Sequence, residues 1–204
     1  MRRINRPVTP DFWEDYKKRH KTDCYDDLQK TEEGCNVRHQ LREFLIKSQY
    51  GLCAYCCKAI DVNTSSNEHM KPKGVSTYAK YSMDYNNIIA SCNTNDTCTS
   101  KKNNHYDESL YISPLSINCA ENFSFMPNGE IVGETPQGEY MINLLGLNSY
   151  GLVKARLAQL KTCQSYNDES LIDEYYLTPQ DGRLEQFCDM IQYFYDLGEF
   201  TVKE

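Results

Sequence analysis

Two cysteine pairs at short spacing are the clearest chemical signal in the sequence. Two residues separate Cys53 from Cys56, and five separate Cys92 from Cys98. Four thiolates from two short loops can enclose a zinc ion tetrahedrally, with Zn–S distances of about 2.3 Å. The spacing therefore predicts a structural zinc site made by these four cysteines. Two alternatives stay open, because Cys57 could replace one ligand and because all of them could be buried thiols.

An adjacent acid and histidine, Glu68 and His69, lie between the two cysteine pairs. In phosphodiester hydrolysis a neutral imidazole can take a proton from water, because its pKa lies near the working pH. A carboxylate can hold Mg²⁺, which neutralises charge on the leaving oxygen. An amide such as that of Asn87 can hydrogen bond to the segment that bears the histidine and orient its ring. We therefore predict His69 as general base, Glu68 as ion ligand and Asn87 as orienting residue; the alternative is a structural histidine.

Lysines and tyrosines flank these residues. Four lysines could contact phosphates on either side of the cleaved bond, or be surface residues without such a role: Lys71, Lys73, Lys101 and Lys102. Four tyrosines could stack on unpaired bases, although a place in the core or at its rim is the favoured interpretation: Tyr78, Tyr81, Tyr85 and Tyr106.

Composition limits the classes of protein that the sequence allows. The 204 residues are 40% hydrophobic and 25% charged, which excludes a disordered or collagen-like chain. The length favours one domain, or a small core with an accessory helical region. The sequence has no apolar run of about 18 residues and no start typical of a signal peptide, so we expect a cytoplasmic protein without a membrane partner. In that reducing compartment, closely spaced cysteines favour metal binding over disulfides.

Charge is unevenly distributed along the chain. The net charge is −7, yet residues 1–105 carry +4 and residues 106–204 carry −11. The mildly basic first half could hold a phosphate-facing site, while the acidic second half suits a solvated face or a partner protein. Weak basicity also predicts that the isolated protein binds nucleic acid poorly and is delivered to it by a partner.

Hydrophobic periodicity and turn residues divide the chain into three regions. Residues 1–50 are expected to be helical, residues 51–110 to hold the metal and catalytic residues, and residues 111–204 to be acidic, mainly helical and a candidate partner interface. We expect the first helix to be capped by Thr9 with Pro10 at its first position. A second helix is expected over 36–49, ended by Gly51.

Further elements are expected downstream. They are short strands at 52–54 and 59–62, a compact helix at 86–92, a hairpin near 123–132 around a Pro-Asn-Gly turn, a loop through 136–138, and helices at 152–160 and 184–195. The remaining cysteines have no ligand spacing and are expected to be buried: Cys24, Cys35, Cys57, Cys119, Cys163 and Cys188.

Several segments together resemble the HNH endonuclease family, and more narrowly the HNH subunit of Septu and retron-associated anti-phage systems. The resemblance spans roughly residues 37–160 and rests first on the segments 52–56, 68–73 and 86–92 and on Cys98 with the lysines at 101 and 102. It continues downstream through the segments 111–115, 118–123, 128–131 and 144–148, with Leu152 and Arg156.

This resemblance implies an α+β protein with a ββα-metal nuclease core, stapled by a four-cysteine zinc site and flanked by N-terminal and C-terminal helices. It implies catalytic Mg²⁺ or Mn²⁺, and a partner ATPase of the ABC/SMC type. Retron-associated members add a reverse transcriptase with its RNA–DNA. HNH motifs normally place a histidine or asparagine after the last cysteine as a second ion ligand, but Thr99 and Ser100 stand here. Asn103 and His105 are the nearest substitutes.

The sequence therefore predicts a metal-dependent nuclease that hydrolyses phosphodiester bonds, the toxic effector of an anti-phage complex. DNA and RNA, including transfer RNA, both remain open as substrates, because the same ion and histidine serve either. The alternative is a catalytically inactive, zinc-stapled binding module that recruits nucleic acid or protein.

Overall fold

A computed structural model describes residues 1–21, 24–166 and 169–200. The fold mixes α-helices with small antiparallel sheets, as the predicted α+β class requires. The helices are α1 (Asp11–Arg19), α2 (Glu32–Ser48), α3 (Cys98–Lys102), α4 (Pro136–Leu145), α5 (Tyr150–Gln164), α6 (Glu169–Ile172) and α7 (Cys188–Asp196). The strands are β1 (Ser65–His69), β2 (Ile88–Cys92), β3 (Phe123–Phe125) and β4 (Ile131–Gly133).

Strands β1 and β2 pair antiparallel and position the predicted catalytic residues. Their register runs from Ser65 opposite Cys92 to His69 opposite Ile88. The helix predicted at 86–92 is wrong, because a short 3₁₀ turn (Tyr85–Asn87) leads directly into β2. Every residue of β2 is buried, and the adjacent β-branched residues at its start suit a strand covered on both faces.

The segment that carries the first cysteine pair is a tight turn instead of the two predicted strands. Only an isolated bridge joins Leu52 to Ala59 within the described chain, and the amide of Cys53 donates to the Lys58 carbonyl at 2.8 Å. Cys57 adopts a left-handed backbone conformation, with φ of +57°. The strands expected at 52–54 and 59–62 are therefore wrong, since this turn leaves too few residues for a ladder.

The two N-terminal helices begin at other residues than predicted. Pro10 is the N-cap of α1, so the prediction of Thr9 as the cap is wrong. Helix α2 begins at Glu32, four residues earlier than predicted, because the Thr31 hydroxyl accepts a hydrogen bond from the Gly34 amide at 3.0 Å. Its end agrees with the prediction, since Gly51 has a φ of +76° and donates to Ile46.

Within the described residues, the C-terminal region contains the predicted hairpin and two α-helices that were not predicted, α4 and α6. Strands β3 and β4 pair across the Pro-Asn-Gly turn, which confirms that prediction. Pro136 begins helix α4 instead of a loop, because Thr135 caps the helix through the Gly138 amide at 3.1 Å. Helix α5 extends beyond the predicted 152–160 at both ends, and α7 begins four residues later than predicted.

One hydrophobic core draws on all three predicted regions, with Trp13, Ile88 and Phe187 fully buried in it. Tyr176 and Phe194 also lie in this core, so part of the tyrosine-rich C-terminal segment packs on its own chain. The division into three regions stays a prediction. None of the helices in the described residues has the length and apolar character needed to span a membrane.

Candidate functional site

The four cysteines predicted as zinc ligands come together in the interior. The sulfur atoms of Cys53, Cys56, Cys92 and Cys98 all lie within 4.8 Å of one another. Cys53 Sγ is 3.8 Å from Cys98 Sγ, and Cys56 Sγ is 3.8 Å from Cys92 Sγ. These separations match a tetrahedron with Zn–S bonds of about 2.3 Å. Hydrogen bonds from Cys53 and Cys56 lower the pKa of Cys92, whereas hydrogen bonds within the cluster raise the pKa values of Cys56 and Cys98. Bound zinc would favour the thiolate form of all four.

Local backbone geometry explains how a five-residue spacing closes the cluster. Asp96 and Cys98 both have positive φ, which turns the chain back so that the second thiol meets the first. Cys57 is buried outside the cluster and is therefore not a competing ligand in this structure. Cys119, Cys163 and Cys188 are buried as predicted. Cys24 and Cys35 are exposed, so the prediction of burial is wrong for these two.

His69 is held as a buried, neutral imidazole at the end of β1. Its Nε2 lies 2.9 Å from the Ser82 carbonyl oxygen, and the side chain packs against the Tyr25 ring. A carbonyl oxygen only accepts, so Nε2 carries the proton and Nδ1 keeps the lone pair. Burial lowers the pKa of His69 to about 4. The ring is thus unprotonated at neutral pH, which is the form a general base needs.

Asn87 fixes both chain segments that hold this histidine. Its Oδ1 accepts from the Lys71 amide at 2.7 Å, and its Nδ2 donates to the Lys71 carbonyl at 3.0 Å. Nδ2 also lies 3.2 Å from the Tyr81 carbonyl, one residue before Ser82. The Asn87 side chain therefore joins the loop that follows His69 to the segment that holds its ring, in line with the predicted orienting role.

Glu68, the residue before His69 on β1, has different side-chain partners from those of His69. It is 7% exposed, and its Oε1 lies 2.9 Å from Nζ of Lys102, which is completely buried. Lys102 Nζ also donates to the His69 carbonyl at 2.9 Å. Burial raises the pKa of Glu68, although the Lys102 charge opposes that rise. The structure thus brings Glu68 to Lys102, and His69 to Ser82 and Tyr25.

Thr99 was not predicted as an ion ligand, but the structure places it beside Glu68. Its hydroxyl helps to lower the pKa of Glu68, after the larger effect of Lys102. Among the described residues, neither the Thr99 hydroxyl nor Glu68 Oε1 has a well-aligned hydrogen bond, although both atoms are buried. Asn103 and His105, the substitutes predicted as second ion ligands, are both exposed. HNH motifs normally place the second ion ligand after the last cysteine, and Thr99 follows Cys98 directly. This position could have identified Thr99 from the sequence.

These oxygens provide a test of whether a catalytic ion fits. A carboxylate and a hydroxyl that are buried without aligned partners are the hard oxygen donors that Mg²⁺ takes. The Lys102 ammonium already supplies positive charge to the same carboxylate oxygen. The donor chemistry therefore fits Mg²⁺ or Mn²⁺, which would compete with the Lys102 ammonium for the same carboxylate oxygen.

The lysines predicted to contact phosphate differ in their placement. Lys71 pairs with Glu108 at 2.7 Å, and Lys73 pairs with Asp26. Lys101 is exposed on α3. The ammonium of Lys102 lies in the interior with Glu68, so it is not displayed on the surface as a phosphate contact requires.

The tyrosines near the site divide between core and cavity. Tyr85 is buried under the Arg6 guanidinium, 4.2 Å from its ring centre. Tyr81 and Tyr106 instead line a cavity of about 360 Å³ beside Asn87. Tyr111 also lines this cavity, and its hydroxyl lies 2.8 Å from the Tyr55 hydroxyl.

Comparison with known proteins agrees with the resemblance read from the motifs. No family model matches the chain. Over 140 residues it is 31% identical to "Retron Vc95 putative HNH endonuclease" of Vibrio cholerae serotype O1 biovar El Tor. The aligned region covers 61% of this chain and 65% of that relative, so the chain spans just under two thirds of the relative's length. The chain is thus similar to a retron-associated protein named for the HNH endonucleases, as the motifs predicted.

Proposed function

We propose that this chain is a metal-dependent HNH endonuclease that hydrolyses phosphodiester bonds in nucleic acid. The observation that carries the proposal is the state of His69, a neutral imidazole whose Nε2 proton is committed to the Ser82 carbonyl. Its Nδ1 is then the nitrogen that can accept a proton. The four-cysteine cluster and the similarity to a retron protein named an HNH endonuclease support the same function.

In this proposal each residue of the site has one task. His69 Nδ1 removes a proton from the attacking water, and the ring keeps its orientation because Ser82 holds the opposite nitrogen. Asn87 is a positioning residue, since it ties together the segments on either side of that ring. Glu68 and Thr99 would hold Mg²⁺ or Mn²⁺, which stabilises negative charge on the phosphate and the leaving oxygen. Lys71, Lys73 and Lys101 would contact flanking phosphates.

We further propose that the chain acts within a retron-associated defence complex. The name of the Vibrio cholerae relative supports the retron association. An ABC/SMC-type ATPase, together with a reverse transcriptase and its RNA–DNA, would deliver the nuclease to its target. The net charge of −11 over residues 106–204 suits a surface for a partner protein better than a surface for nucleic acid.

Cleavage of plasmid DNA and total RNA in Mg²⁺, with and without the candidate ATPase, tests the enzymatic function. We expect His69→Ala to abolish cleavage without changing the zinc content, because the variant lacks the proton acceptor but keeps all four cysteines. The matched control is His39→Ala on α2, whose exposed side chain lies 3.4 Å from a carboxylate oxygen of Glu43. Undiminished cleavage by His69→Ala at full zinc content would refute the mechanism.

The Lys102 ion pair is the observation that favours a second candidate function. A buried ammonium 2.9 Å from Glu68 could replace a catalytic ion permanently and leave a zinc-stapled binding module. Such a module would neither cleave nucleic acid nor respond to Mg²⁺. Calorimetric titration of the zinc-loaded chain with Mg²⁺ separates the two functions: heat that Glu68→Gln removes supports the nuclease, and no binding supports the module.

A further inference from the structure

A cavity of about 360 Å³ is lined by Asn87 and by Met70 and Lys71, the two residues that follow His69. This volume falls in the range of about 300–1,000 Å³ that is typical of small-molecule sites. Asn87 lines the cavity, and its side chain accepts a hydrogen bond from the Lys71 amide in the loop after His69. Lys71 lines the cavity as well. Tyr111 forms part of the wall as well. A group bound in this cavity would therefore lie next to the proposed site of cleavage.

The lining of the cavity includes three tyrosines, Tyr81, Tyr106 and Tyr111. Tyr106 packs against Tyr111 with 4.9 Å between ring centres, and Tyr81 also lines the space. Rings presented to a cavity stack on nucleobases, and they tolerate any base because every base has a π face. Asp84 and Asn86, also in the lining, offer polar groups to the edge of such a base.

The charge at the mouth of the cavity suits a phosphate beside that base. The Lys71 ammonium lies 5.0 Å from the centre of the Tyr81 ring and 2.7 Å from a carboxylate oxygen of Glu108. The Glu108 side chain is 67% exposed, so this ion pair is of the weak surface type. A phosphate could therefore take the place of Glu108 on Lys71 at little cost.

We propose that this aromatic cavity, defined by Lys71, Tyr81, Asn87, Tyr106 and Tyr111, binds an unpaired nucleobase adjacent to the cleaved phosphate. The proposal rests on the proposed nuclease function and names its substrate class. A base inside a duplex is stacked and paired, so it cannot enter such a cavity without being extruded. The preferred substrate is therefore a single-stranded or looped segment of DNA or RNA.

Binding in the absence of cleavage tests this proposal separately from catalysis. The full chain with His69→Ala, loaded with zinc and free of Mg²⁺, is titrated at low salt against labelled single-stranded DNA, single-stranded RNA and a matched duplex, with fluorescence anisotropy as the readout. We expect both single strands to bind more tightly than the duplex. Tyr81→Leu should weaken single-strand binding roughly tenfold, whereas Tyr81→Phe should retain it, because stacking needs only the ring.

Controls separate a lost stacking surface from a damaged fold. Tyr150→Leu replaces a tyrosine that is 81% exposed on α5 and should leave binding unchanged. If Tyr81→Leu fails to retain zinc, Tyr106→Leu provides the second test. Three results overturn the cavity proposal: single-strand binding by the leucine variants that equals that of the parent chain, preference for the duplex, or no binding to either single strand with the candidate ATPase present. If the wild type cleaves nucleic acid but Tyr81→Leu binds single strands normally, the cavity proposal fails and the nuclease function stands. If Tyr81→Leu weakens binding but the wild type cleaves nothing under any condition, the nuclease function fails.

Discussion

The two antiparallel strand pairs of this molecule are built in different ways. Strands β3 and β4 are joined by residues 126–130, where Asn128 Oδ1 accepts from the Glu130 amide at 3.0 Å and Gly129 has a φ of +89°. Strands β1 and β2 are separated by residues 70–87, a longer connection that contains two short 3₁₀ helices. Their pairing is secured beside Cys92, where the four thiols meet.

A residue outside β1 and β2 also holds this strand pair in place. Gln49, just after α2, donates to the Ala90 carbonyl and accepts from the Ala90 amide, both at 2.8 Å. The Gln49 side chain thus hydrogen bonds to the edge of β2 that does not face β1. A longer connection costs more loop-closure entropy, so contacts distant in sequence must supply the compensation. One strand pair is therefore encoded locally, and we expect the pair that carries His69 to depend on the four-cysteine cluster.

The largest effect should follow from breaking the cysteine cluster. A structural zinc in zinc-finger peptides contributes roughly 10 kcal/mol or more, which is comparable to the whole stability of a typical domain. We expect Cys92→Ser to lose zinc and to lose hydrogen-exchange protection across β1 and β2, measured by metal analysis and mass spectrometry. Cys35→Ser, at an exposed cysteine, is the control and should change neither. Full protection of 65–69 in the Cys92 variant would show that the pair does not need the cluster.

The buried ion pair should give the next largest effect. Removing one partner of such a pair leaves an uncompensated buried charge and costs about 3–5 kcal/mol. We expect Lys102→Met to lower the free energy of unfolding in urea by about that amount. Adding Glu68→Gln in the same chain should recover most of the loss, because no buried charge then remains unpaired. Additive losses in the double variant would mean that the two side chains do not interact.

Acid should destabilise the site strand through His69. The folded pKa of this residue is about 4, against an ordinary value of 6.5. The unfolded chain therefore binds the proton first as pH falls. The stability that His69 contributes is complete above pH 6.5 and is lost, by up to about 3 kcal/mol, as pH falls from 6.5 to 4. Comparing urea unfolding of the wild type with that of His69→Gln over this range isolates the effect, and parallel pH profiles would contradict it.

The smallest effect concerns the locally encoded hairpin. A Cβ at Gly129 would lie 2.5 Å from the Val153 carbonyl oxygen, at a φ that side chains rarely adopt. We expect Gly129→Ala to cost about 1–3 kcal/mol and to leave the zinc content unchanged. Gly151→Ala, on α5, meets nothing within 4 Å and should be neutral or stabilising by less than about 1 kcal/mol. Thermal unfolding of the two variants measures this difference.

The same contrast explains how much of the fold the sequence could predict. The β3–β4 hairpin followed from its Pro-Asn-Gly turn, and the end of α2 from Gly51, because both signals act between near neighbours. The sequence predicts a helix where the structure has strand β2, because the periodicity of a short apolar run does not distinguish a buried strand from a helix. Its partner was missed because β1, with the sequence Ser-Ser-Asn-Glu-His, lacks the residues that are typical of strands.

The candidate site was predictable to a similar extent. Ligand spacing predicted the cluster of four cysteines, and the neighbouring Glu68 and His69 directed attention to β1. Their partners could not be read from the sequence, because Ser82 contributes a backbone carbonyl and Lys102 contributes a fully buried ammonium. Neither kind of contact has a compositional signature. Thr99 was identifiable only from its place after Cys98.

Nitrogen NMR of the His69 ring, in zinc-loaded and zinc-stripped protein, tests the central claim most directly. In the loaded protein we expect a proton on Nε2, a lone pair on Nδ1 and no titration between pH 5 and pH 8, since the pKa of His69 is about 4. Stripping the zinc should release the ring, so that it titrates near the ordinary value of 6.5. A proton on Nδ1, or titration near 6.5 in the loaded protein, would contradict the account.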